Sequence, residues 1–200
     1  MSRAILTAAL VSLLAAAHAD AQVLTTAETL GKGKSGVLVT DNVIVPGEGI
    51  ANLNVAYGQF VRGLTDRFDL YAAAGATTTE GSTQAWLGGG GNLRLARIRK
   101  LTLSFFTVAS VPLNHRDQAC QVLWNPAIVA SAPLNAKLSI YSGINSLVPI
   151  GDRARGIFTP PSTKVNVPIG AMVALGAWGV WGEADFGTLR AFGVGLSRMF

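Results

Sequence analysis

Charge is scarce in this chain. Asp, Glu, Lys and Arg make up 14% of its 200 residues, against about 25% in soluble domains. A surface so poor in charge cannot suit water all round, so part of it faces something else. Cysteine is nearly absent. Cys120 alone cannot close an internal disulfide, and its thiol stays free or pairs with another chain. Histidine occurs only at positions 18 and 115, and nothing has the ligand spacing of a metal site. No metal or other cofactor is expected. The net charge of +5 is spread thinly. No lysine–arginine cluster interleaves with aromatics, which argues against nucleic acid as a partner.

What the chain has is apolar residues (50%), glycine (23 residues) and a mean hydropathy of +0.39. Part of the excess lies at the start. Met1-Ser2-Arg3 is a positive beginning, Ala4 to Ala17 an apolar stretch, and Ala17-His18-Ala19 and Ala19-Asp20-Ala21 are small-residue cleavage sites. This is the pattern of a secretory signal peptide over 1–21. The stretch is short for a membrane anchor.

The longest uncharged run, Val165 to Gly182, is just long enough to cross a bilayer as a helix. Its internal order opposes that. Val165, Val167, Ile169, Ala171, Val173 and Leu175 fall on one parity, and Asn166, Pro168, Gly170, Met172, Ala174 and Gly176 on the other. A period of two is the mark of a strand with unlike faces. The rule recurs over 67–76, 100–113 and 137–148, and over 52–62, where Leu53, Val55, Tyr57 and Val61 oppose Asn52, Asn54 and Arg62. Ten strands are expected, near 35–45, 51–62, 67–77, 83–96, 100–113, 121–133, 137–150, 164–176, 179–186 and 189–200. Most have ten residues or more. Soluble strands average about five or six residues, while a strand that crosses a bilayer needs about 9–11.

The expected fold is therefore all-β: a closed antiparallel up-and-down transmembrane β-barrel of about ten strands, within a range of eight to twelve. It occupies 35–200, with 22–34 as an N-terminal periplasmic segment. The links at 63–66, 97–99 and 134–136 are tight. Those at 78–82, 114–120 and 151–163 are longer or more flexible, as short periplasmic turns alternate with longer outer loops in such barrels. Tyr57, Trp178 and Phe200 are expected in interfacial aromatic belts.

The chain ends AFGVGLSRMF. Phe192, Val194, Leu196 and Phe200 alternate up to a terminal aromatic. This resembles the C-terminal signal of bacterial outer-membrane β-barrel proteins, although Arg198 stands where members often have an aromatic. The stretch GQFVRGLTDRFDLYAAAG (58–75) is similar to hairpins of small members of that class. The resemblance implies recognition of Phe192, Val194, Leu196 and Phe200 by the barrel-assembly machinery. It implies residence in the outer membrane of a Gram-negative bacterium after signal cleavage. The partners would be outer-membrane lipid and lipopolysaccharide.

Function would sit on the inward parity. The candidates for lining the lumen are Arg62, Arg67, Asp69, Tyr71, Asn92, Arg94, Lys137, Tyr141, Asn145, Glu183 and Asp185. Two readings compete: a small polar pore, or a lumen plugged by hydrogen bonds and ion pairs, with Glu183 and Asp185 paired to arginines. A barrel of about eight strands is just filled by side chains, so the size leans to the plug. No catalytic residues are assigned. His115 lies in an expected outer loop away from any nucleophile. The run Gly88 to Gly91 lies mid-strand, where glycine serves close packing or a bend, not phosphate binding at a helix start. The expected role is structural, or passage of small solutes along a polar lumen. The alternative is a secreted, soluble, lipocalin-like barrel with an internal ligand cavity.

Overall fold

The computed structural model describes residues 26–45, 52–79, 81–113, 122–150 and 163–200. Ten strands run through them: β1 Ser35–Val45, β2 Leu53–Gly63, β3 Phe68–Thr79, β4 Ser82–Ile98, β5 Leu101–Pro112, β6 Val122–Pro133, β7 Leu138–Ile150, β8 Lys164–Leu175, β9 Trp178–Gly187 and β10 Arg190–Met199. The described residues contain no helix. Each strand pairs antiparallel with its sequence neighbours, and β10 pairs with β1 to close the barrel. Closure leaves no edge with unpaired amides.

The closing seam uses the chain's last residues. Gly36 faces Met199 and Val45 faces Arg190. Ser35 and Phe200 exchange backbone N–H···O bonds at 3.0 Å each. The terminal aromatic is thus the last rung of the ladder. Phe192, Val194, Leu196 and Phe200 all point outward and are exposed.

Expected and observed strand limits agree within two residues. The connections differ at one point. Thr79 pairs directly with Ser82, and Gly81 sits at φ +77°, so this link is a tight hairpin, not a longer loop. The turn needs a left-handed residue, and glycine takes that conformation at no steric cost. The links at 114–120 and 151–162 lie outside the described residues, as do His115, Cys120 and the signal segment 1–21.

The two faces of the wall differ. Apolar side chains stand exposed on the outside of every strand, among them Val39, Phe60, Leu70, Leu87, Leu101, Ile128, Ile144, Ile169, Val180 and Val194. Inside, Leu38, Val61, Tyr71, Met172, Trp181 and Met199 form one buried cluster with Leu30, backed by Phe106, Val108 and Ala174.

β2 departs from expectation. Val61 is wholly buried, while Phe60 and Arg62 are exposed. The parity is the reverse of the expected one: Tyr57, Gln59 and Val61 point inward and Arg62 outward. Register fixes this. Val61 faces Gly36 and Tyr71, both inward, and Phe60 faces Val37 and Ala72, both outward. Arg62 donates from Nη1 to Ser35 Oγ at 2.7 Å. Tyr57 is not in an outer belt; its ring lies 5.6 Å from Trp86 inside the barrel.

Glycine makes room for these inward rings. A Cβ at Gly170 would fall inside the Tyr141 ring, one at Gly195 inside Trp181, and one at Gly75 against Trp86. The run Gly88 to Gly91 lies mid-strand in β4, and a Cβ at Gly90 would collide with the Thr107 carbonyl on β5. Glycine there allows close approach of two backbones.

Candidate functional site

The lumen has three levels, which follow from where each strand begins. Both described ends of the chain and the turns at 64–67, 99–100, 134–137 and 176–177 share one rim. At this rim the segment before β1 enters the barrel. Thr26, Ala27, Thr29 and Leu30 are buried. The Leu30 N–H donates to both carboxylate oxygens of Asp69, at 2.9 and 3.2 Å. Thr29 Oγ1 donates to the Asp66 carbonyl at 2.8 Å. Asn92 Nδ2 donates to the Glu28 carbonyl at 3.3 Å, and the Thr102 hydroxyl donates to the Glu28 carboxylate. Asp69 and Asn92 are thus inward as expected, but their partner is the chain's own N-terminal segment. Nothing in the short polar run 22–34 marks it as a plug.

The middle level is apolar. Tyr71 packs 5.4 Å from Phe106, beside Leu38, Val61, Met172 and Trp181, each 5% exposed or less. Side chains lining a water-filled channel would be wetted, and these are not. These side chains form one buried apolar layer across the barrel, with Phe106 and Val108 packed against it.

The upper level is polar. Glu183 and Asp185 follow Trp181 along the inner face of β9, and Asn145 follows Tyr141 along β7. Asn145 Nδ2 donates to Asp185 Oδ1 at 3.3 Å. Tyr141 lies across Gly170, which pairs with Glu183 on β9. The structure brings these four expected residues together, but not with arginines. Among the described residues the only ion pair is Arg97 with Glu28, at 4.0 Å. The expected pairing of Glu183 and Asp185 with arginine does not occur there.

The cations expected in the lumen sit at the turn rim or outside. Lys137 is exposed in the turn before β7, where its carbonyl accepts from the Ala174 N–H at 2.7 Å. Arg67 and Arg94 line a rim cleft with Leu95, Ala96 and Arg97. A register shift between Arg94 and Ala96 sends Arg97 to the inner face opposite Thr102. Arg198 is outward but only 4% exposed, its guanidinium 5.2 Å over the Trp178 ring. This is a cation–π contact.

The fold defines a closed ten-stranded antiparallel barrel with an apolar exterior. No protein-family model matches the chain, and no curated protein matches it. Among solved structures it is similar to a chain titled "De novo design of transmembrane beta-barrels", at 12% identity and TM-score 0.40, over 84% of this chain and 97% of that one. It is also similar to a mutant of Rh. blastica porin, at 9% identity and TM-score 0.24, over 84% of this chain and 99% of that one. Likeness at this level carries no functional weight.

Proposed function

We propose that the chain is an integral outer-membrane β-barrel of a Gram-negative bacterium with a filled lumen. Its role is structural: it holds its rims and outer connections at a fixed place in the membrane. The observation that carries this reading is the inversion of apolarity between the upper wall's faces. Outside stand Val, Leu, Ile and Phe on all ten strands; inside stand Glu183, Asp185, Asn145, Asn166 and Gln84. Strands cross hydrocarbon only when every backbone group is paired, and a closed barrel meets that condition. A soluble ligand-binding barrel would put charge outside. The C-terminal alternation supports handling by the barrel-assembly machinery, and the leader pattern supports export. The reading involves no catalysis.

Of the two roles expected, the middle level favours the structural one over solute passage. The test is a planar-bilayer recording on the refolded chain beside heat-modifiable gel mobility. The expected result is a folded, heat-modifiable band with no steady conductance. Steady conductance would refute the filled lumen, and failure to enter lipid would refute the membrane reading.

A further inference from the structure

The rim cleft remains unused by the structural role. It has a volume of about 200 Å³ and is lined by Arg67, Arg94, Leu95, Ala96 and Arg97. Its shape has an identifiable cause. β4 runs on to Ile98, and the register shift after Arg94 turns both Arg94 and Arg97 inward where strict alternation would separate them. Bulges re-aim side chains in this way. The Arg94 N–H donates to the Arg67 carbonyl at 2.8 Å, which ties the third arginine to the same place.

The acids nearby do not neutralise these cations. Glu28 approaches Arg97 only at 4.0 Å, and its other carboxylate oxygen accepts from Thr102. Both oxygens of Asp69 accept from the Leu30 N–H. Arg67, Arg94 and Arg97 therefore line one small space, and among the described residues their only ion pair is the 4.0 Å contact of Arg97 with Glu28. Planar, permanently charged forks of this kind suit phosphate.

We propose that this cleft binds a phosphate-class oxyanion through Arg67, Arg94 and Arg97. The ligand is the phosphate of an anionic lipid headgroup or free phosphate reaching the turn rim. Leu95, which is exposed and lines the cleft, would lie along the first carbons of an acyl chain. The phosphate site stands independently of the membrane reading; only the lipid source rests on it.

The test uses the full chain in a maltoside detergent, which carries no phosphate. Binding of inorganic phosphate is followed by calorimetry, then repeated with phosphatidylglycerol or phosphatidylcholine added. Saturable binding is expected, with Arg67→Gln and Arg97→Gln each weakening it about tenfold, as loss of a charge-assisted hydrogen bond would. Both arginines are exposed, so both variants should keep the heat-modifiable band. Arg190→Gln, on the opposite rim, should bind as the parent does. Competition by phosphatidylglycerol but not phosphatidylcholine assigns the site to a headgroup; phosphate binding without lipid competition assigns it to free phosphate. No saturable binding of either, or binding indifferent to the two variants, overturns the proposal. A chain that binds phosphate but fails to enter vesicles would sink the membrane reading and leave the site intact.

Discussion

Ile144→Arg separates a wall in lipid from a wall in water. Ile144 is outward, 58% exposed, and central in β7. Strands rise about 3.4 Å per residue and tilt about 40° in such barrels, so each residue gains roughly 2.6 Å of height. Ile150, at the far end of β7, then stands roughly 15 Å above Ile144, past the edge of an apolar band about 25 Å tall that is centred there. In lipid, Ile144→Arg should cost about 2–4 kcal/mol and Ile150→Arg about 0–1. In water both would fall within about 0.5 kcal/mol of the parent, as exposed substitutions do. The assay is reversible guanidinium unfolding in vesicles, read by tryptophan emission. With a slope of about 4 kcal/mol/M, the Ile144→Arg midpoint should drop by roughly 0.5–1 M at unchanged slope. A loss below about 0.5 kcal/mol at Ile144, or equal losses at both positions, would refute the reasoning.

Three further outcomes follow from the packing. Gly90→Ala should destabilise by about 1–3 kcal/mol, because the added methyl meets the backbone of β5 and the two strands must part; Gly182→Ala, whose Cβ has only a 3.9 Å neighbour, should be near neutral in the same unfolding assay. Asp69→Ala should strip the Leu30 amide of its acceptor and release the plug, at about 1–3 kcal/mol. Hydrogen exchange at Leu30 reads this directly, and unchanged protection there would count against the clamp. Phe200→Ser should lower the yield of folded barrel in the outer membrane, and undiminished yield would count against a C-terminal assembly signal.

The period of the strands was legible in the sequence, but its sign was not always so. On β3, β5, β7 and β9 one parity collects polar or small residues, and inside and outside follow at once. On β2 both parities carry large apolar residues, because Val61 joins an interior that is itself apolar at that level. Hydropathy then cannot tell the faces apart; only register against β1 and β3 can. The bulge after Arg94 hid for a related reason. A single extra residue leaves the composition of β4 unchanged while reversing the facing of everything beyond it. The plug was invisible because the partners of Thr26 to Leu30 lie far along the chain, at Asp66, Asp69, Asn92 and Thr102.

The interior also explains why so much glycine accompanies so many inward rings. A barrel of about eight strands is just filled by ordinary side chains, and ten strands enclose a wider space. Tyr141, Trp181 and Trp86 occupy it by lying against the wall, each over a glycine of an adjacent strand at positions 170, 195 and 75. The ring covers backbone that glycine leaves bare, and the glycine gives the ring the depth it needs. Tyr71, Phe106, Met172 and Leu38 then fill the centre, and the N-terminal segment fills the mouth below. A barrel meant to conduct would need none of these devices. Their presence below Glu183 argues that the sequence itself specifies a filled interior.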